Sequence, residues 1–119
     1  MLKRADRLRK PADFKAVYRQ GRVFSGDLLR LYALPCGKGR KAGVVASKKI
    51  GGAVARNRLR RLVREAVRAV YPLLSDGVHL VFVGRKGARE ASFRDVSAEV
   101  RGLLERAGIL AGRERGGHG

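Results

Sequence analysis

Ala55-Arg56-Asn57-Arg58-Leu59-Arg60-Arg61-Leu62-Val63-Arg64-Glu65-Ala66-Val67-Arg68 combines an apolar period with an unusual charge pattern. At ~100° per residue, Leu59, Leu62, Val63, Ala66, Val67 and Val70 share one face. The period predicts a helix from about Ala53 to Tyr71, closed by Pro72, with that face packed on a sheet. Arg56, Arg60, Arg64 and Arg68 follow at four-residue intervals along another side, with Asn57 and Arg61 beside them. Like charges four apart cost an isolated helix ~0.2–0.5 kcal/mol per pair. Glu65 is the only acid in the stretch. A helix built for stability alone would alternate signs, so the stripe points to an anionic partner. Guanidinium forks suit phosphate oxygens, which they can engage bidentately. Asn57 adds a neutral donor and acceptor near the helix start, where backbone N–H groups also favour an anion.

Outward from this helix, the pattern gives an α+β chain. Lys10 to Arg19 reads as a helix: Pro11 suits its first turn, Phe14, Val17 and Tyr18 share a face, and Gly21 stops it. A short edge segment is expected between Val23 and Gly26. A strand is expected from Leu28 to Leu34, ending at Pro35, and the Gly- and Pro-rich run from Pro35 to Arg40 reads as a connection. Gly43 to Lys49 is expected to be a second strand, broken by Gly51-Gly52, with Lys48 and Lys49 at its end and near the basic helix. Val78 to Gly84 is a near-continuous apolar run, hence a buried strand. The last helix, Ser92 to Ala107, places Phe93, Val96, Val100, Leu103 and Leu104 on one face, with Ser92 as N-cap and Gly108 at its end. The order is helix, strands, helix, strand, helix. It predicts one small domain over residues 1–110, a mixed sheet of about four strands packed with three helices. The tail, 111–119, lacks apolar residues to pack and is expected to be flexible, His118 included.

Composition narrows the partners. The 119 residues carry 28 Lys and Arg against 10 Asp and Glu, a formal net charge of +18. A domain of this size repels itself at that charge unless a polyanion neutralises it. No apolar run approaches the ~20 residues that span a bilayer, and Met1-Leu2-Lys3-Arg4 is not followed by the apolar core of a secretory signal. Cys36 is the only cysteine, which rules out an intrachain disulfide and suits a reducing cytoplasm. No feature marks Cys36 as an activated thiol, and His79 reads as an ordinary half-buried strand histidine. Glu90, Asp95 and Glu99 are the nearest approach to an acidic cluster and read as helix-terminal and surface charges. With no paired acid and base, neither a catalytic nor a metal site is expected in the protein, nor a small-molecule substrate.

The residues point further than the periodicity, which a DNA-reading helix would also satisfy. Ser47-Lys48-Lys49-Ile50-Gly51-Gly52-Ala53-Val54-Ala55-Arg56-Asn57-Arg58-Leu59-Arg60-Arg61-Leu62-Val63-Arg64-Glu65 resembles the signature of the bacterial ribonuclease P proteins, built around an Arg-Asn-Arg helix. The resemblance extends through Leu8-Arg9-Lys10, Phe14, Val17-Tyr18, Gly21 and Tyr32, and covers about Leu8 to Leu104. It implies a left-handed βαβ crossover and a cytoplasmic ribonucleoprotein in which a catalytic RNA, with Mg²⁺ held mainly by the RNA–substrate complex, removes the 5′ leader of precursor tRNA. It implies that Arg56, Asn57, Arg58, Arg60, Arg61, Arg64 and Arg68, with Lys48 and Lys49, face the RNA subunit. Phe14, Tyr18 and Tyr32 would line a cleft for the single-stranded leader. Stacking on aromatic faces is worth ~1–3 kcal/mol per base. Phe14 at helical spacing fits a core position as well as a platform. Tyr18 departs from the Phe common in the family, a change that stacking survives. A structural or ribosomal RNA-binding protein would share the charge and the helix; a helix-in-groove DNA reader would concentrate its base contacts at one helix end.

Overall fold

Parallel pairing of two strands that are distant in sequence organises the chain. The computed structural model describes residues 2–37 and 39–110. Strand β3 (Arg40–Val45) lies parallel to β4 (Val78–Gly84), with Arg40 opposite Val78 and Val45 opposite Val83. Adjacent parallel strands need a crossover. Helix α2 (Ala53–Val70) supplies it. β4 also pairs antiparallel with β2 (Leu29–Pro35), and β2 with β1 (Arg22–Ser25), giving the order β1-β2-β4-β3. Helix α1 (Pro11–Gln20) precedes the sheet and α3 (Phe93–Arg106) ends the fold.

Alternation along the strands assigns the two faces. Leu29, Leu31 and Ala33 of β2 and Val78, Leu80 and Phe82 of β4 point to one side, where Leu59, Val63, Ala66, Val67 and Val70 of α2 and Val96, Val100, Leu103 and Leu104 of α3 cover them. The other face is covered in part. Leu8, Val17 and Val81 form a smaller buried cluster there, with Phe14, Tyr32, Leu34, Val45 and Val83 around it. His79 is half-buried on this second face.

Each helix ends where its residues require. Pro11 opens α1, and Gly21 closes it, its amide N–H donating a hydrogen bond to Val17 O. Ser92 Oγ accepts the Asp95 amide at the start of α3. At its end Gly108, with φ +75°, allows the amides of Gly108 and Ile109 to reach Glu105 O and Leu104 O. That double bond pattern closes a helix with a left-handed residue.

Two expectations need correction. The second strand runs Arg40–Val45 instead of Gly43 to Lys49, because the chain must leave the sheet at Ala46 to begin the crossover. Lys48 and Lys49 therefore sit in a turn, where Ile50 N bonds Ser47 O and Gly51 N bonds Lys48 O. Glu99 is more than a surface charge. Its Oε2 accepts the amides of both Leu28 and Leu29, each at 2.6 Å, and so fixes the β1–β2 turn. Arg85 donates to Gly26 O and Arg106 to Ser25 O at 2.9 Å each, completing a clasp around the same turn. Short 3₁₀ segments at Arg4–Asp6, Tyr71–Leu73 and Lys86–Glu90 carried no periodic signal. The expected tail, 111–119, lies outside the described residues.

Glu99→Ala leaves two amides of the turn without their acceptor. It should cost ~2 kcal/mol of unfolding free energy, the scale of a bond to a charged group, read as a lower urea midpoint with unchanged slope.

Candidate nucleic-acid interface

The arginines of α2 divide between two flanks. Each four-residue step advances ~40° around the helix. The stripe therefore winds from the edge of the apolar face at Arg56 to an exposed position at Arg68. Arg56, Arg60 and Arg64 are half-buried, while Asn57, Arg61 and Arg68 are exposed. Arg60 donates to Asn57 Oδ1, which orients both side chains outward of the same turn. Arg68 lies 3.8 Å from Glu65. Arg56 Nε is buried without an acceptor among the described residues. Burial, followed by the like charges of Arg7 and Arg60, pulls the Arg64 pKa below the usual arginine range. Cationic side chains thus stand together on this flank with little internal neutralisation.

Arg58 lies on the other flank. Its guanidinium donates to Ala91 O at 2.8 Å and Arg89 O at 3.5 Å, holding the Lys86–Glu90 segment against α2. Two of its five N–H donors are thus turned to the protein's own backbone.

Arg7 was not singled out in the sequence. The N-terminal segment brings it in by running beside β3: Leu8 N bonds Ala42 O, Arg7 bridges to Ala42, and Arg7 Nε donates to Leu2 O. Leu2 is buried in the main core and Leu8 in the smaller cluster. The segment also places Asp6 beside Tyr71. Burial, then the charge and hydrogen bond of Asp6, push the Tyr71 phenol up to about 12. Arg40 lies 4.8 Å over the Tyr71 ring, and its guanidinium donates to Tyr71 O and Leu74 O.

The second face of the sheet forms the other surface. Tyr18 from α1 and Tyr32 from β2 meet edge to face with centroids 5.0 Å apart, and Phe14 lies 6.5 Å from Tyr18. Tyr18 is exposed; Phe14 and Tyr32 are half-buried. Partial burial, then Tyr32, raises the Tyr18 phenol above its ordinary pKa. The three aromatics expected together are therefore together. Beyond them a groove of ≈ 760 Å³ opens at the end of β4, with Arg30, Lys49, Arg85 and Lys86 around Val83. Lys49 belongs to this groove. Arg30, Arg85 and Lys86 were missed, although Arg30 stands two residues before Tyr32 on one strand and so shares its face. Glu99 is committed to the β1–β2 turn, and no group of three His, Cys, Asp or Glu among the described residues could hold a metal ion. No helix among them is long and apolar enough to cross a membrane.

Fold and surfaces define a small α+β protein with two basic faces, one on a crossover helix and one beside an aromatic pair on an open sheet. Residues 2–108 match the family model described as Ribonuclease P. The chain is 43% identical over 113 residues to the Ribonuclease P protein component of Roseiflexus castenholzii, covering 93% of each. Its structure resembles the RNase P protein from Thermotoga maritima at 28% identity and TM-score 0.77, covering 84% of this chain and 96% of that one. The Staphylococcus aureus RNase P protein shares the fold at TM-score 0.83 and 23% identity, with 90% and 99% covered. The chain belongs to the ribonuclease P protein family, whose members are protein components of a tRNA-processing ribonucleoprotein.

Because the Tyr71 pKa lies above the ordinary 10.0, folding favours the neutral phenol. The stability from this group is complete below about pH 10 and is lost as pH rises towards about 12. Ultraviolet titration of the folded protein should show a tyrosine phase near pH 12 that Tyr71→Phe removes.

Proposed function

We propose that this chain is the protein subunit of ribonuclease P, holding the catalytic RNA on the α2 flank and the 5′ leader of precursor tRNA on the open sheet face. The observation that carries the reading is the Tyr18–Tyr32 pair on that face, one strand repeat along from Arg30 and Val83 of a groove that Lys49, Arg85 and Lys86 also line. An unpaired strand needs both elements: π-faces for its bases and cations for its backbone. A basic helix alone would bind any structured RNA. Family membership supports the same assignment.

Arg56, Arg60, Arg61 and Arg64, joined by Arg7, are the proposed contacts to the RNA subunit, with Asn57 and Arg68 beside them and Lys48 in the adjoining turn. Arg58 acts there chiefly by fixing the Lys86–Glu90 segment. The reaction is hydrolysis of one phosphodiester bond, leaving a 5′-phosphate on the tRNA and a 3′-hydroxyl on the leader. No cluster of His, Cys, Asp or Glu among the described residues fits a resident Mg²⁺, and this reading gives the metal to the RNA–substrate complex. The protein's part is to position the leader and screen phosphate repulsion, which lowers the Mg²⁺ needed for substrate to bind.

The deciding experiment is precursor-tRNA cleavage by a bacterial ribonuclease P RNA at low Mg²⁺, with and without the protein. Cleavage at the mature 5′ end only when both are present is the expected result. Intact RNA binding without stimulation would move the chain to the structural RNA-binding class. Arg64→Ala should weaken binding to the RNA subunit and flatten its dependence on log salt by about one phosphate contact; an unchanged slope would mean that Arg64 is merely solvated.

A further inference from the structure

Gly43 is buried in the middle of β3 on the face that α1 covers, opposite Val81. Across the sheet the row reads Val23, Tyr32, Val81, Gly43, one residue from each strand. Gly43 is not among the glycines with positive φ, so conformational freedom does not explain it. Space does. A β-carbon built there would lie 2.6 Å from Phe14 Cζ, 2.8 Å from Phe14 Cε1 and 3.3 Å from Leu8 Cβ. The Phe14 ring thus occupies the volume that any other residue at position 43 would fill.

Phe14 and Tyr18 are four residues apart on α1, hence on one side of the helix. Their centroids are 6.5 Å apart, and Tyr18 in turn meets Tyr32 at 5.0 Å and 86°. A displacement of the Phe14 ring is therefore passed to the Tyr18–Tyr32 pair. We propose that Gly43 is a positioning residue for the leader cleft: its missing side chain seats Phe14 against β3 as a pillar beneath Tyr18, so that Tyr18 and Tyr32, and not Phe14, meet the bases. The inference rests on the leader-cleft reading above and assigns Phe14 a supporting role within it.

The test uses the assembled holoenzyme and reads the ratio of its affinities for precursor tRNA with a leader and for mature tRNA. Tyr32→Ala is the check on the cleft itself, and Gly43→Ala, Phe14→Leu and their double variant test the pillar. Tyr32→Ala and Gly43→Ala should each lower the ratio about fivefold or more, the lower end of what one stacked base contributes, with affinity for the RNA subunit unchanged. The double variant should recover part of that loss, because leucine has no ring carbon where the new methyl stands. A Gly43→Ala protein that melts earlier but keeps the wild-type ratio, while Tyr32→Ala lowers it, overturns the positioning role and leaves the cleft intact. No change with Tyr32→Ala overturns both. If Gly43→Ala does not fold, the comparison is Phe14→Leu with the double variant. A higher ratio in the double variant supports the pillar, and an equal or lower one overturns it.

Discussion

The parallel ladder between β3 and β4 is the constraint from which the other features follow. It obliges the chain to cross from one end of the sheet to the other, and α2 makes that crossing over a single face. An amphipathic helix in that position must turn its apolar side to the strands. Its remaining circumference is left for charge. With α2 and α3 on one face, the opposite face is covered by the short helix α1 and Leu8 of the N-terminal segment, and only in part. The exposed remainder is where the aromatic pair and the basic groove lie. The two surfaces are thus both products of one pairing, and the sheet holds them on its opposite sides.

Much of this was legible in the sequence, for reasons that differ by element. The α2 pattern is long enough for its period to be unambiguous, and β4 is apolar at nearly every position because both of its faces are covered. Ser92 and Gly108 mark the ends of α3 through local chemistry that needs no tertiary partner. The extent of β3 was not legible. It depends on which residues of β4 it pairs with, and Val44-Val45-Ala46 reads equally well as the start or the end of a strand. The roles of Arg58 and Glu99 were hidden for a similar reason: each answers backbone groups more than thirty residues away. That Phe14, Tyr18 and Tyr32 lie together was implied only by family resemblance, whereas Arg30 could have been placed beside Tyr32 by strand alternation alone.

The distribution of charge has its own logic. Acids are scarce, and several hold the fold's own backbone or side chains: Glu99 at the β1–β2 turn, Asp76 on the Gly39 amide, Asp6 beside Tyr71. Some cations do likewise, as Arg40, Arg58, Arg85 and Arg106 bond backbone carbonyls. A carbonyl bond leaves the guanidinium charged, so Arg85, like Arg7 on Leu2 O, still adds to the positive surface. Bonds to neutral amides leave the carboxylates charged, so the formal excess of +18 persists in the folded protein and attracts a polyanion.

Bonds to backbone carbonyls also interrupt both edges of the sheet. At one edge Ser25 O of β1 is held by Arg106; at the other, Ala42 O of β3 is held by Leu8 N. Exposed strand edges are templates on which further strands can add, and charged side chains or covering segments blunt them. Once a polyanion cancels the repulsion that keeps copies of so cationic a protein apart, edge-to-edge growth would be the obvious hazard. Each edge is interrupted at one point, at Ser25 by Arg106 and at Ala42 by the N-terminal segment, which limits the length of strand open to such growth.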